Sequence, residues 1–409
     1  MSEPLLLSNG SLSMRQNGSE NQDTRVAVLS VRNIDRHVSR SHAFEFEDAI
    51  CDMEGADLFT PEAGTLHKTA IKGKNWASKK WASSELLPTG LKSVTLEKDY
   101  DVFFVSIASL RDLNFLSSVG NWRKNSKRAV VWIQELWLAD LDRQSLLLAK
   151  LDQFDLVVCS FVETTKELRS RLQTDVMYLP WGIDGLKFCP LPNPPTRSIE
   201  LLSVGAKNEL THEALLKHFQ KTGDLYLYDT ISGRSEMNDY IAHRNNFISQ
   251  IQRSKYFFCY RAKIERVEER GDQLEFGLRY LEALAGGAVV LGEKIDSEAF
   301  QDHFGWSDAV IEVPYASTDI GETLRNLSAQ SNRMNAISRR NSQECLLRHD
   351  HLNRWQLVIE RLDMRQHRKM KDRRAKLFNL AKVISSGDGS TRGGTSYISS
   401  LAVAKSATQ

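Results

Sequence analysis

The stretch Glu275-Phe-Gly-Leu-Arg-Tyr-Leu-Glu-Ala-Leu-Ala-Gly-Gly-Ala-Val-Val-Leu-Gly292 reads as a short helix that runs straight into a buried strand. Gly277 lets the backbone come close to a ligand where the helix starts. The first helical N–H groups, those around Leu278 and Arg279, have no partner within a helix and sit at the positive end of its dipole. They suit a pyrophosphate. Glu282 falls about two turns into the helix, where its carboxylate can accept from both hydroxyls of a ribose. Gly286 and Gly287 stop the helix, and the strand Ala288–Leu291 follows at once. In open parallel sheets, ligands bind beyond the carboxyl ends of the strands, where such helices begin. The plain alternative is an amphipathic helix with a surface glutamate and a glycine cap.

The same alternation extends outward on both sides. Short apolar runs at Ile199–Val204, Leu225–Tyr228, Tyr256–Cys259 and Ala309–Val313 predict strands. Helical spacing covers 211–219, 240–252, 277–285, 318–328 and 332–347. Upstream, Pro190-Leu-Pro-Asn-Pro-Pro195 breaks the pattern, because proline fixes φ and lacks a donor. Before it, strands are expected at Val26–Val31, Asp101–Ser106, Ala129–Ile133, Leu156–Cys159 and Met177–Leu179, with helices at 41–53, 109–118, 144–151 and 163–172. Buried runs of this length alternating with helices predict parallel sheets covered on both faces. The organisation expected is a disordered tail (1–24), a first Rossmann-like domain (25–183), a proline-rich hinge (184–198), a second α/β domain (199–350), C-terminal helices that are partly basic (351–384) and a second disordered tail (385–409).

The 409 residues are enough for two domains, and Lys and Arg (54) nearly balance Asp and Glu (52), so the chain as a whole is not built for nucleic acid. Five scattered cysteines form no CxxC pair, which suits reduced thiols in the cytoplasm. No apolar run reaches the length of a membrane span. The basic run 365–376 is a candidate for peripheral contact with an anionic inner-membrane surface, with a solvated helix face as the alternative.

The stretch 275–292 resembles the signature of the group 1, family-4-like glycosyltransferases, a retaining family of the GT-B fold that carries Glu-x7-Glu followed by Ala-x-Ala-x-Gly. Phe276, Gly277, Leu278, Glu282, Ala283, Ala285 and Gly287 fall on family positions, and the resemblance gives Glu282 the nucleotide ribose. The first glutamate departs: counting back eight reaches Leu274, and Glu275 comes one residue late. Either a shift brings Glu275 to the donor sugar or that role is absent. The shorter core kept by some branches fits Arg279-Tyr-Leu-Glu-Ala-Leu-Ala-Gly-Gly287 more closely.

Pro180, Gly182, Asp184, Phe188 and Pro190 match the family's Pro-x-Gly-x-Asp…Phe-x-Pro segment at the end of the first domain. Ser203-Val-Gly-Ala-Lys207 sits where the family has a Gly-Arg pair and a nearby lysine. Here Ala206 replaces the arginine, leaving Gly205 and Lys207, with Arg261 and Lys263 competing as phosphate ligands. In the first domain, Gln134 and Glu135 follow a buried strand, so Glu135 is a candidate to orient or deprotonate an acceptor hydroxyl. His42 is a weaker acceptor-site candidate. Asp140-Leu-Asp142 has a metal-binding form that recurs by chance, and no metal site is expected.

The resemblance implies two Rossmann-like domains facing a cleft, with C-terminal helices crossing back to the first. It implies transfer from a nucleotide diphosphate sugar, used as substrate with no cofactor and held by a donor domain at 199–350, to a glycan, lipid-linked or small-molecule acceptor on an acceptor domain at 25–183, with polysaccharide or glycolipid synthesis as the setting. A nucleotide-sugar epimerase on the same scaffold and a non-catalytic nucleotide- or glycan-binding protein are the alternatives.

Overall fold

The computed structural model describes residues 24–67, 69–70, 73, 90–230 and 235–386. The tails expected to lack order lie outside these residues, apart from Thr24, Ser385 and Ser386. Two sheets, each wholly parallel among the described strands, organise the chain. The first contains β1 (Val26–Leu29), β2 (Asp57–Phe59), β3 (Tyr100–Ile107), β4 (Ser126–Ile133), β5 (Leu156–Cys159) and β6 (Asp175–Tyr178), in the order β2-β1-β3-β4-β5-β6. The second contains β7 (Ile199–Ser203), β8 (Tyr226–Tyr228), β9 (Ser254–Cys259), β10 (Val289–Gly292) and β11 (Val310–Glu312), in the order β11-β10-β9-β7-β8.

Strands apolar on successive residues must be covered on both faces, and β3 shows why. Phe103 packs into one buried cluster with Val131 and Trp122, whereas Phe104 packs into another with Phe46 and Trp132. The principal helices are α1 (Ser41–Glu54), α2 (Val162–Arg171), α3 (Glu209–Thr222), α4 (Tyr240–Gln252), α5 (Leu278–Ala285), α6 (Glu298–Phe304), α7 (Ile320–Ser328), α8 (Ser331–Arg348), α9 (His351–Arg361) and α10 (Arg368–Ser386). The helix expected over 109–118 is a 3-10 helix, Leu110–Ser118, and the one expected over 144–151 is broken into short turns. The three-residue strand β2 and the seven-residue α6 are too short to show a clear period and were not anticipated.

The last two helices cross back onto the first sheet. Trp355, Val358, Ile359, Met370, Leu377, Ala381 and Ile384 share a buried cluster with Val28, Phe104, Trp132 and Val158. The outgoing and returning passes of the chain are zipped together: Ile183 N–H donates to His349 O, and His351 N–H to Ile183 O, each at 2.9 Å. Gly182 makes this possible, since a Cβ there would lie 2.9 Å from both Arg354 Cγ and His351 Nδ1. Asp184 accepts from Arg373 at 2.8 Å, and Asp350 from the same guanidinium at 2.7 Å. Two parallel α/β lobes with a C-terminal return to the first define a GT-B fold.

The basic run 365–376 does not face outward as a unit. Arg373 is tied to Asp184 and Asp350, and Arg374 donates to Gln356. Arg365, Arg368, Lys369, Lys371 and Lys376 are exposed. Among the described residues no helix is long and apolar enough to cross a membrane.

Candidate active site at the junction of the lobes

In the second sheet the chain leaves β7 for β8 on one side and crosses to β9 on the other, so the loops after β7 and β9 flank a switch point where ligands settle. The first loop is fastened to the residue after β8: Gly205 N–H donates to the Asp229 carboxylate at 2.8 Å, and Lys207 Nζ to Asp229 O at 2.9 Å. On the second loop, Arg261 pairs with Glu293 through its Nε at 2.9 Å and through a second nitrogen. Lys263 sits between Glu269 at 3.0 Å and Glu135 at 3.4 Å, with its ammonium 4.7 Å from the Trp137 ring centre. Lys263 therefore spans the two lobes. All three candidate phosphate ligands are already partnered.

Helix α5 begins beside this loop. Gly277 is its N-cap, extended and without a side-chain cap, and a Cβ added there would meet no atom within 4 Å. No described group accepts from the Leu278 or Arg279 N–H. The segment just before the tip is held against the first lobe. Gln273 accepts from Leu138 N–H at 2.8 Å and donates to Thr164 Oγ1 at 3.2 Å. Ala262 N–H donates to Glu275 O at 2.8 Å. The bare tip thus lies where the lobes meet.

Glu282, expected at the nucleotide ribose, is paired with two arginines in this structure. It is 1% exposed, and its two oxygens accept from Arg244 and from Arg279, the latter at 2.6 Å. Burial alone would raise its pKa, but the Arg279 and Arg244 charges outweigh that and hold it below the usual carboxylate range. Arg244, on α4, reaches across to Glu45 on α1 at 2.7 Å. Glu45 also takes Asp184 N–H at 3.2 Å and His351 Nε2 at 3.3 Å. A run of polar contacts, His351–Glu45–Arg244–Glu282–Arg279, buried except at Arg279, therefore joins the lobes. Sequence reasoning missed Arg244 because an arginine in a polar helix carries no mark of its partners.

Glu275 lies just before the tip, 6% exposed, and burial pushes its carboxyl up to about 8. Glu135 is exposed, accepting from Trp137 Nε1 at 2.8 Å. His42, in the first turn of α1, lies 5.5 Å ring to ring from Trp181, and its Nε2 is buried without a partner. Burial and then the Arg244 charge pull its pKa down to about 4, leaving a neutral imidazole.

Gln134, noted at its strand end from the sequence, belongs to a polar row whose three serines the sequence reading did not single out. Ser30, Ser106, Gln134 and Ser160 lie at the carboxyl ends of β1, β3, β4 and β5, two residues beyond Val28, Phe104, Trp132 and Val158, and so on the sheet face that α1 covers. Gln134 Nε2 donates to Ser106 Oγ at 2.7 Å, and Trp132 Nε1 to Ser160 Oγ at 2.8 Å. Gln134 is 4% exposed, yet its Oε1 has no partner. On the other side of the junction, an open hollow of about 370 Å³ lies at the ends of β9, β10 and β11. Tyr260, Arg261, Glu293 and Tyr315 line it.

No protein-family profile matches the chain, and no curated protein sequence does either. Solved structures are similar in arrangement. Anabaena HepE in complex with UDP-glucose aligns at 10% identity over 83% of this chain and 99% of that one, with a TM-score of 0.46. Staphylococcus aureus MnaA with UDP aligns at 9% identity over 84% and 98%, also with a TM-score of 0.46. The pneumococcal O-GlcNAc transferase GtfA with UDP and GlcNAc aligns at 12% over 64% and 56%, with a TM-score of 0.37. At such identities side chains do not correspond position by position, and the role of each residue rests on this chain's own geometry.

Proposed function

We propose that this chain is a glycosyltransferase that takes a sugar from a nucleoside diphosphate at the tip of α5 and passes it to an acceptor hydroxyl on the first lobe. The observation that carries this reading is the uncapped start of α5, with open space at Gly277, at the line where the lobes meet. When the bond between the anomeric carbon and the diphosphate oxygen breaks, negative charge grows on the leaving group. Fixed N–H donors at a helix start stabilise it without reorganising. Arg261 and Lys263 exchange carboxylate partners for phosphate oxygens, and Arg279 does the same as Glu282 turns to the ribose. Glu135, exposed on the facing lobe, is placed to accept the acceptor proton. The unpartnered Gln134 Oε1 and neutral His42 Nε2 suit sugar hydroxyls, which donate and accept alike. The chemistry needs no metal, and the resemblance around Glu282 favours retention of configuration.

A second reading, nucleotide binding without turnover, is favoured by one observation: Glu282, Arg261 and Lys263 are already paired, and Ala206 stands in place of a phosphate-binding arginine. Incubating pure protein with UDP-, GDP- and ADP-sugars and saccharide acceptors separates the two. Nucleotide release that persists in EDTA supports the transferase. Tight binding with no release, acceptors present, supports the silent scaffold. An isomerised sugar on an intact nucleotide points to epimerisation, and no binding at all sinks every version.

A further inference from the structure

We propose that the outer face of α10, with the end of α8 beside it, docks on an anionic phospholipid surface. The inner face of α10 is satisfied: Met370, Leu377, Ala381 and Ile384 are buried against the first lobe. Its outer face nevertheless carries Phe378, 52% exposed, and Val383, 49% exposed. Leu347 near the end of α8 is 43% exposed. The two helices run antiparallel, since Gln343 reaches Ala381 O at 3.3 Å while Asp350 meets Arg373 at 2.8 Å. That register sets Leu347 level with Leu377 and Phe378.

The charges around these apolar groups are mostly basic, and the nearby acid of α8, Glu344, is paired with Arg340 and Arg348. Arg368, Lys371, Lys376 and Lys382 are exposed, and Asp372 is the single acid in α10. Lys371, Ala375, Phe378 and Lys382 follow each other at spacings of four, three and four, so they form one strip along the helix. The Lys382 ammonium lies 4.9 Å from the Phe378 ring centre, which keeps cation and aromatic on the same patch. Cations alone would fit any polyanion. Exposed Phe, Val and Leu side chains among lysines fit a bilayer, where rings sink between headgroups while long cationic stems reach lipid phosphates. A nucleic-acid backbone offers these apolar groups nothing. The inference stands apart from the glycosyl-transfer reading, because no residue of the patch lies in the crevice.

Flotation of the full chain with phosphatidylcholine vesicles, with and without one third phosphatidylglycerol, tests it. The expected result is about tenfold more protein on anionic vesicles, weakening with salt. Phe378→Ser with Val383→Ser, and separately Lys371→Gln with Lys376→Gln and Lys382→Gln, should each reduce that binding several-fold with unchanged thermal melting, since the side chains are exposed. Equal recovery on both vesicle types overturns the proposal. So does binding that survives either set of substitutions, or binding to duplex DNA that is as tight as to anionic vesicles and indifferent to Phe378→Ser.

Discussion

Arg244 is the residue on which the junction depends. It is 4% exposed and neutralises Glu45 and Glu282, one from each lobe. Removing a buried partner leaves its counter-charges unpaired, at a cost of about 3–5 kcal/mol. Arg244→Met should lower the denaturation midpoint accordingly, and Glu282→Gln should cost less, because Arg244 keeps Glu45. A loss within error for Arg244→Met would remove the network from the stability account. Glu275 predicts a pH signature. Its folded pKa is raised to about 8, so between the ordinary carboxylate pKa and that value the native state holds a proton the unfolded chain has released. Stability contributed by this group is full at acid pH and declines as pH rises through that window. Glu275→Gln should flatten the decline in urea titrations from pH 5 to 8, and an unchanged slope would show that the group titrates normally.

At the scale of an element, α5 holds two opposing demands. A helix start is more stable when capped, yet ligand binding needs its N–H groups free. Gly277→Asp should satisfy those groups internally and stabilise the fold by roughly a few tenths of a kcal/mol, while placing negative charge where the diphosphate belongs. Higher thermal stability together with lost UDP- or GDP-sugar binding is the expected pair of results from melting curves and calorimetry. Retained binding would show that the diphosphate lies elsewhere. The helix itself was legible from Gly277 to Gly287, because a helix-period run bounded by glycines leaves few alternatives. That Glu282 would be clamped by two arginines was not, since the clamp comes from α4.

For the molecule as a whole, the two lobes are held by the zipped passes at Ile183 and Asp350, by Gln273 against Leu138 and Thr164, and by the Arg244 bridge. Gly182 sets the closeness of those passes. Gly182→Val should cost about 1–3 kcal/mol by overpacking against Arg354 and His351. It should also loosen the lobes, seen as a larger radius in solution scattering. A compact, fully stable variant would mean that the passes can part without consequence.

The order of strands and helices, the break at Pro190–Pro195 and the position of the α5 tip were set by local patterns of apolar residues, glycine and proline, which act within a few residues of the chain. The side-chain chemistry of the crevice was decided by the fold. Which carboxyl has its pKa raised, which is clamped, and which strand-end hydroxyls share a face depend on partners tens to hundreds of residues away in sequence, and only burial and the meeting of two lobes bring those groups together.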